Sequence, residues 1–290
     1  MKRNSENTCS LREKIVRKHD RMKFINKFIV PPGTRVNLAD CDPDATLGFK
    51  KGVKATSLLQ KTIARLDELQ NLLWAGKQHA LLIVLQAMDA AGKDGTIRHV
   101  MSGVNPQGCR VTSFKVPSGT ELSHDFLWRV HQVIPARGEM GIFNRSHYED
   151  VLIVRVHQFV PKAVWSKRYD QINDFERMLG QNDVTILKFF LHISKDEQKR
   201  RIEQRLRDPA KQWKLAPADF QERTRWKDYI DAYESVLSRC STDESPWFII
   251  PSNKKWFRNL AVSSIVVERL EGMNLKFPKP NFDLSRFVLK

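Results

Sequence analysis

The sequence is short of cysteine: its four, Cys9, Cys41, Cys109 and Cys240, are scattered with no pair at C-x-x-C spacing. That scatter argues against a zinc site or a disulfide framework and suits a reducing cytoplasm. Long apolar runs are also missing. The N-terminus is polar and charged rather than carrying a signal core, and no run approaches membrane-spanning length. The expectation is a soluble, cytoplasmic protein with no membrane partner. Acidic residues are outnumbered, 33 against 49 Lys and Arg, which leaves a formal net charge of +16 and implies a polyanionic partner. Nucleic acid and polyphosphate both fit that charge. Helix-turn-helix, RRM and zinc-finger patterns are absent, and the aromatics sit at core spacing rather than along a basic stripe. No specific nucleic acid is therefore expected. Histidines at 131, 147 and 192 lack ligand spacing and read as structural.

What is present converges on residues 80–96, ALLIVLQAMDAAGKDGT. Ala80 to Gln86 is a mostly apolar run without alternation, the signature of a strand buried on both faces of a parallel sheet. A small-residue turn follows, in which 87–94 match the spacing of the phosphate loop G-x-x-x-x-G-K-[ST]. Ala90, Ala91, Gly92, Lys93, Asp94 and Gly95 are the expected phosphate-binding residues, with a helix starting near Lys93 aiming free amides at the loop. Two positions depart from the pattern. Ala87 replaces the first glycine, and Asp94 replaces the hydroxyl residue that normally helps to hold magnesium. Asp89, a carboxylate inside a loop built for anions, then reads as the metal ligand, for Mg2+ or alternatively Mn2+. Asp94 also has a plain role, since the helix dipole favours a carboxylate in the first turn.

Taken in order, residues 1–57 form a basic N-terminal arm, 58–272 a phosphate-loop domain and 273–290 a tail broken by Pro278 and Pro280. Leu58 to Leu73 predicts an amphipathic helix ending near Gly76; Arg110 to Phe114 predicts a second strand, and 120–133 a helix. A short strand at 140–143 runs into the polar stretch 144–150. Ligands bind at the carboxyl ends of parallel strands, so Asn144 and Arg145 are expected to face the phosphate loop. Glu149 has two readings, one as the second half of a capping box with Ser146 and the other as a site residue. A helix at 162–179 and a buried strand at 184–193 follow, then a capping box at Ser194 and Glu197. A basic helix, the Asp208-Pro209 break and a long helix from Pro217 to about Ser238 come next. Between about 196 and 226 this reads as a lid, the alternative being a solvated charged face. Trp213 either stacks on a base or anchors a hinge. The last strand is 247–251, with Ser252 capping a final helix to Leu270. Strands alternating with helices predict an α/β, three-layer kinase-like fold with a parallel sheet of about five strands and a helical lid.

Three segments in this order, MDAAGKDG, FNRSHYED and RLRDPAKQWKLAPADF, resemble the polyphosphate kinase 2 family, and the resemblance spans about 58–270. It implies a thymidylate-kinase-like phosphate-loop fold. It also implies phosphoryl transfer between inorganic polyphosphate and nucleotides with magnesium, in a homodimer or homotetramer. The second segment looks like the class III pattern, whose members act on both monophosphates and diphosphates, here AMP and ADP with ATP as the product. Carried over, Asp89, Lys93, Arg145 and Arg205 form the catalytic set. Lys211 and Lys214 join the phosphate-binding residues, and Asn144, Arg145, Tyr148, Glu149 and Asp150 lie beside the nucleotide. Asn144 stands where many relatives carry Asp, which removes a possible second metal ligand. An ATP-dependent nucleotide kinase on the same fold and a basic nucleic-acid-binding protein with a vestigial loop are the competing readings.

Overall fold

The computed structural model describes residues 24–283. The expectations for the basic residues of 1–23 and for the end of the tail lie outside the described residues. At the centre is β1, Ala80–Gln86, every residue of which is buried. It pairs in parallel with β3, Met140–Asn144, on one side and with β4, Val184–His192, on the other. The edges are β2, Cys109–Ser113, beside β3 and β5, Trp247–Pro251, beside β4, giving the order β2-β3-β1-β4-β5.

Because side chains alternate across a strand, β1 feeds two cores at once. Leu81, Ile83 and Leu85 pack with Leu66, Leu69 and Leu73 of α1, Val53–Gly76, and with Leu260 and Ile265 of the final helix, Lys255–Gly272. Leu82 and Val84 face the opposite way. They meet Tyr169 and Ile172 of the helix Arg168–Gln181, together with Tyr233 and Val236 of the helix Trp226–Arg239. The result is three layers, helices on each side of a five-stranded parallel sheet. Among the described residues no helix is long and apolar enough to cross a membrane.

In chain order after α1, the principal helices are α2, Lys93–Val100; α3, Arg168–Gln181; α4, Lys195–Arg207; α5, Pro217–Thr224; α6, Trp226–Arg239; and α7, Lys255–Gly272. Several predicted helices are broken. The stretch 120–133 is two short turns, Gly119–Leu122 and Trp128–His131, because Ser118 and Glu121 cap the first and the Asp125 carboxylate accepts the Leu127 amide before the second. The 162–179 stretch splits into Lys162–Trp165 and α3. The long helix from Pro217 breaks at Arg225, whose guanidinium donates to the Val156 carbonyl, leaving α5 and α6. Ser252 does not cap α7. Its hydroxyl donates to the Ile250 carbonyl and the cap position is Lys254.

Residues 24–30 reach the β5 edge. Phe24 and Phe28 pack on Phe257, Ile29 bridges antiparallel to Phe248, and the Val30 amide donates to the Trp247 carbonyl at 2.8 Å. Extended backbone thereby covers donors and acceptors that an edge strand would leave open.

Candidate active site

The β1 register places Leu85 opposite Asn144 and Gln86 opposite Phe190, so the loops after β1 and β3 leave the sheet side by side. In the first loop Ala90 has φ 62° and Gly92 φ 101°. At Gly92 a Cβ would also lie 2.2 Å from the Arg258 guanidinium, so glycine is needed there for conformation and for space. Ala87 does not share the left-handed backbone, and a Cβ at the motif's first position is tolerated. The loop is tied down from behind. Arg201 of α4 donates to the carbonyls of Ala90 (3.1 Å) and Ala91 (2.7 Å), and Arg258 of α7 donates to Ala91 (3.1 Å). Both arginines are buried, and burial together with the neighbouring Arg201 pushes Arg258 down to about 9.

With those carbonyls held back, the first-turn amides of α2, which have no intrahelical partner, remain for a ligand. The Lys93 ammonium reaches the Ala87 carbonyl at 3.1 Å. Burial lowers its pKa, against the opposing pull of Asp89, Glu149 and Asp94.

The second loop starts with Arg145 at φ 64°, a left-handed residue that is not glycine and that stores about 1–3 kcal/mol of strain. Such strain persists where surrounding contacts determine it. The Arg145 amide donates to Leu85, extending the β1–β3 ladder, while the guanidinium meets the Asp89 carboxylate at 3.1 Å. Burial alone would lower the Arg145 pKa, but Glu149 and Asp89 outweigh it and raise it. Asn144 donates to the Asp94 carboxylate at 2.9 Å, so both departures from the expected patterns pair with each other. The capping box at Ser146 is not formed. Its hydroxyl accepts from the Tyr148 amide and from Gln86, the following turn is 3-10, and the Glu149 side chain borders a cleft instead.

Two clefts open on these loops. One, of about 420 Å³, is lined by Lys93, Asp94, Lys115, Arg205, Trp213 and Lys214 among others. The second, of about 300 Å³, has apolar walls at Met88, Leu152 and Ile153 and polar ones at Glu149, Glu222 and Tyr229. Asp89, Arg145 and Asp219 border both. A basic cleft and a mixed one thus meet at one carboxylate–arginine pair and one helix-borne aspartate.

The sequence pattern of the family described as Polyphosphate kinase 2 matches residues 50–278. This chain belongs to that family. It is 52% identical over 267 residues to a protein named AMP/ADP-polyphosphate phosphotransferase from Meiothermus ruber, covering 92% of this chain and 100% of that one. An ADP-polyphosphate phosphotransferase from Rhodopseudomonas palustris is 46% identical over 271 residues, covering 89% of this chain and 94% of its own. The crystal structure of polyphosphate kinase 2 from Arthrobacter aurescens TC1 superposes with a TM-score of 0.84 at 46% identity, over 89% of this chain and 93% of that chain.

Within this family member, the structure gathers Asp89, Ala90, Gly92, Lys93, Asp94, Asn144, Arg145, Arg205 and Lys214 around the basic cleft. Ala91 lies beneath it, fully buried, and Gly95 is packed near Arg258. Three expected residues stand elsewhere. Tyr148 is fully buried, its hydroxyl donating to Glu176 at 2.8 Å and accepting from Lys188 at 3.0 Å, so it is a core residue and not a nucleotide contact. Asp150 pairs with Arg168 at 2.8 Å, and burial raises its pKa to about 6. Lys211 pairs with Asp208 on the exposed turn Pro209–Gln212, and borders neither cleft. In each case a nearer partner has taken the group.

Motif reading missed Arg201, Arg258, Gln198, Tyr229 and Tyr233. The 198, 201, 202 spacing in α4 marks one buried helical face, a signal hidden by the surrounding Lys/Arg run. Arg258 offered no such cue, since it follows Lys254 and Lys255 at the start of α7 like an ordinary exposed cation. His147 and His192 are buried, and His131 lies against Phe175, all in structural settings.

Proposed function

We propose that this chain transfers phosphoryl groups from inorganic polyphosphate to AMP and then to ADP, regenerating ATP. The observation that carries the reading is the meeting of the two clefts at Asp89, Arg145 and Asp219. Polyphosphate runs through the basic cleft, the nucleotide occupies the smaller one, and the transferring group passes where they join. The names of the relatives from M. ruber and R. palustris support the same chemistry.

The acceptor is a phosphate already largely ionised at neutral pH, so the chain need not supply a strong base. Its tasks are to position the reactants and to neutralise charge. Lys93 and the first α2 amides hold the donor's terminal phosphates, while Arg145 and Arg205 approach the equatorial oxygens from the sheet side and from α4. Glu149 and Glu222, with the apolar wall of Leu152 and Ile153, position the nucleoside. Closure of 195–224 over the junction excludes water and limits hydrolysis of the donor.

Mg2+, with Mn2+ as a substitute, is the proposed cofactor. Among the described residues no three His, Cys, Asp or Glu side chains converge on a metal position. The Asp89 carboxylate, 26% exposed, nevertheless suits magnesium, which keeps most of its waters and binds through one or two carboxylates plus substrate phosphates. When bound, the ion neutralises charge on the transferring phosphates. Asp89 would exchange its Arg145 partner for the ion, freeing that guanidinium for phosphate.

The test follows AMP, ADP and ATP by chromatography with long-chain polyphosphate as sole donor, magnesium present or chelated, and Lys93→Ala as control. Sequential ADP and ATP formation that is lost with chelator and in the variant supports the proposal. Use of ADP alone removes the AMP step, and a requirement for ATP as donor overturns polyphosphate as the substrate.

A further inference from the structure

We propose that Gln198 is a positioning residue that couples helix α5 to the phosphate loop; the inference rests on the phosphotransferase reading for its catalytic consequence, though not for its geometry. Gln198 is 1% exposed in the first turn of α4. Its amide nitrogen donates to the Asp89 carbonyl at 3.0 Å, and its amide oxygen accepts from Arg223 of α5 at 2.8 Å. The orientation of the amide follows from the partners, since a carbonyl can only accept and a guanidinium can only donate.

Three consecutive loop carbonyls, those of Asp89, Ala90 and Ala91, are therefore held from behind: the first by Gln198, the second by Arg201 and the third by Arg201 and Arg258. Besides the loop, Arg201 bonds the Ser252 carbonyl at 2.6 Å and Arg258 bonds the Asn259 side chain at 2.8 Å. Gln198 alone of the three also grips α5. Arg223 anchors that end with a second bond to the Lys195 carbonyl at 2.8 Å. Its neighbour Glu222 borders the smaller cleft, where His157 and the Tyr229 hydroxyl hold its carboxylate at 2.9 and 2.7 Å.

A nucleotide that shifts Glu222 moves Arg223 with it, and the movement reaches the Asp89 peptide through one side chain. That peptide precedes the left-handed Ala90 and carries the carboxylate proposed to hold the metal. Occupancy of the acceptor cleft is thereby reported to the donor loop. A structural amide would serve as well with either half of this bridge missing; a coupling amide needs both.

The two halves separate by substitution. Gln198→Glu keeps an acceptor for Arg223 but loses the donor to Asp89, whereas Arg223→Ala removes only the α5 half. Peptide hydrogen exchange on the full chain should show faster exchange at 87–95 in both variants, and at 217–224 only in Arg223→Ala. Combining the two should add nothing further at 87–95. In the transfer assay Gln198→Glu should lower kcat about tenfold or more with KM for AMP near the wild-type value, and Gln198→Met, which breaks both bonds at similar volume, should match it. Exchange at 87–95 that is unchanged in Arg223→Ala, or effects that simply add in the double variant, would overturn the coupling. So would a kcat unaltered in folded Gln198→Glu. A wild-type protein inert toward polyphosphate defeats the proposed function instead, and the exchange pattern still decides the bridge.

Discussion

Gly92 and Arg145 both have left-handed backbones, for opposite reasons. At Gly92 any side chain meets Arg258, so Gly92→Ala combines strain with displacement of a buried guanidinium. Its melting temperature should fall by several degrees, the strain alone being about 1–3 kcal/mol, and calorimetry measures it. An unchanged melt would show that the loop relaxes freely. At Arg145 the strain is accepted in order to aim a side chain. Arg145→Gly relieves the backbone while losing an ion pair that is part exposed, so stability should change by less than about 1 kcal/mol. Transfer should fall about 10³-fold, the loss typical of an arginine on the transferring group. Denaturant titration alongside the rate assay separates the two effects. The turn at 89–92 and the helix start at Lys93 were legible because a phosphate loop is local: its shape follows from spacing within a few residues. Tyr148 and Asp150 went elsewhere for the converse reason, since Glu176, Lys188 and Arg168 lie far off in sequence and only folding brings them close, whereas Lys211 is held by Asp208 only three residues away.

Between elements, a buried polar cluster joins the turn after β3 with α3 and β4. Glu176 receives bonds from Lys188 and Tyr148 and lies 3.1 Å from His147, and all four are almost wholly buried. Burial would raise the Glu176 pKa, but Lys188 and His147 outweigh it and hold it below its ordinary value. A depressed folded pKa favours the folded state where the unfolded carboxyl is ionised. This contribution is complete above about pH 4.5 and is lost as pH falls through the lower folded value. Glu176→Gln leaves Lys188 buried without its counter-charge and should cost about 3–5 kcal/mol at neutral pH. The deficit against wild type should shrink below pH 4.5, as denaturant titrations across that range would show. The elements themselves were mostly legible. The five strands of the sheet stand close to where they were expected, β1, β4 and β5 on apolar runs, Lys188 notwithstanding. Helices broken at 123–127 and at Arg225 were not, because an Asx turn and one arginine-to-carbonyl bond decide those breaks.

Across the whole molecule, the charge of +16 includes five cations that line the larger cleft, Lys93, Lys115, Arg145, Arg205 and Lys214. With a slope of about −0.7 per neutralised phosphate on a flexible polyanion, a fourfold rise in salt should weaken polyphosphate binding roughly a hundredfold. The affinity for AMP, read from the smaller and less basic cleft, should fall far less. Titration of both KM values against potassium chloride measures the difference, and equal slopes would place polyphosphate outside this cleft. Sheet order has a consequence of its own. The strand synthesised first, β1, ends at the centre, and its neighbours on the two sides are β3 and β4. On a translating ribosome, the apolar run ALLIVLQ therefore emerges with both edges unpaired and waits until residue 144 supplies one partner and residue 192 the other. The segment that carries the active loop is also the nascent chain's longest-exposed aggregation hazard, and truncation at any point before β4 should leave it dependent on chaperones.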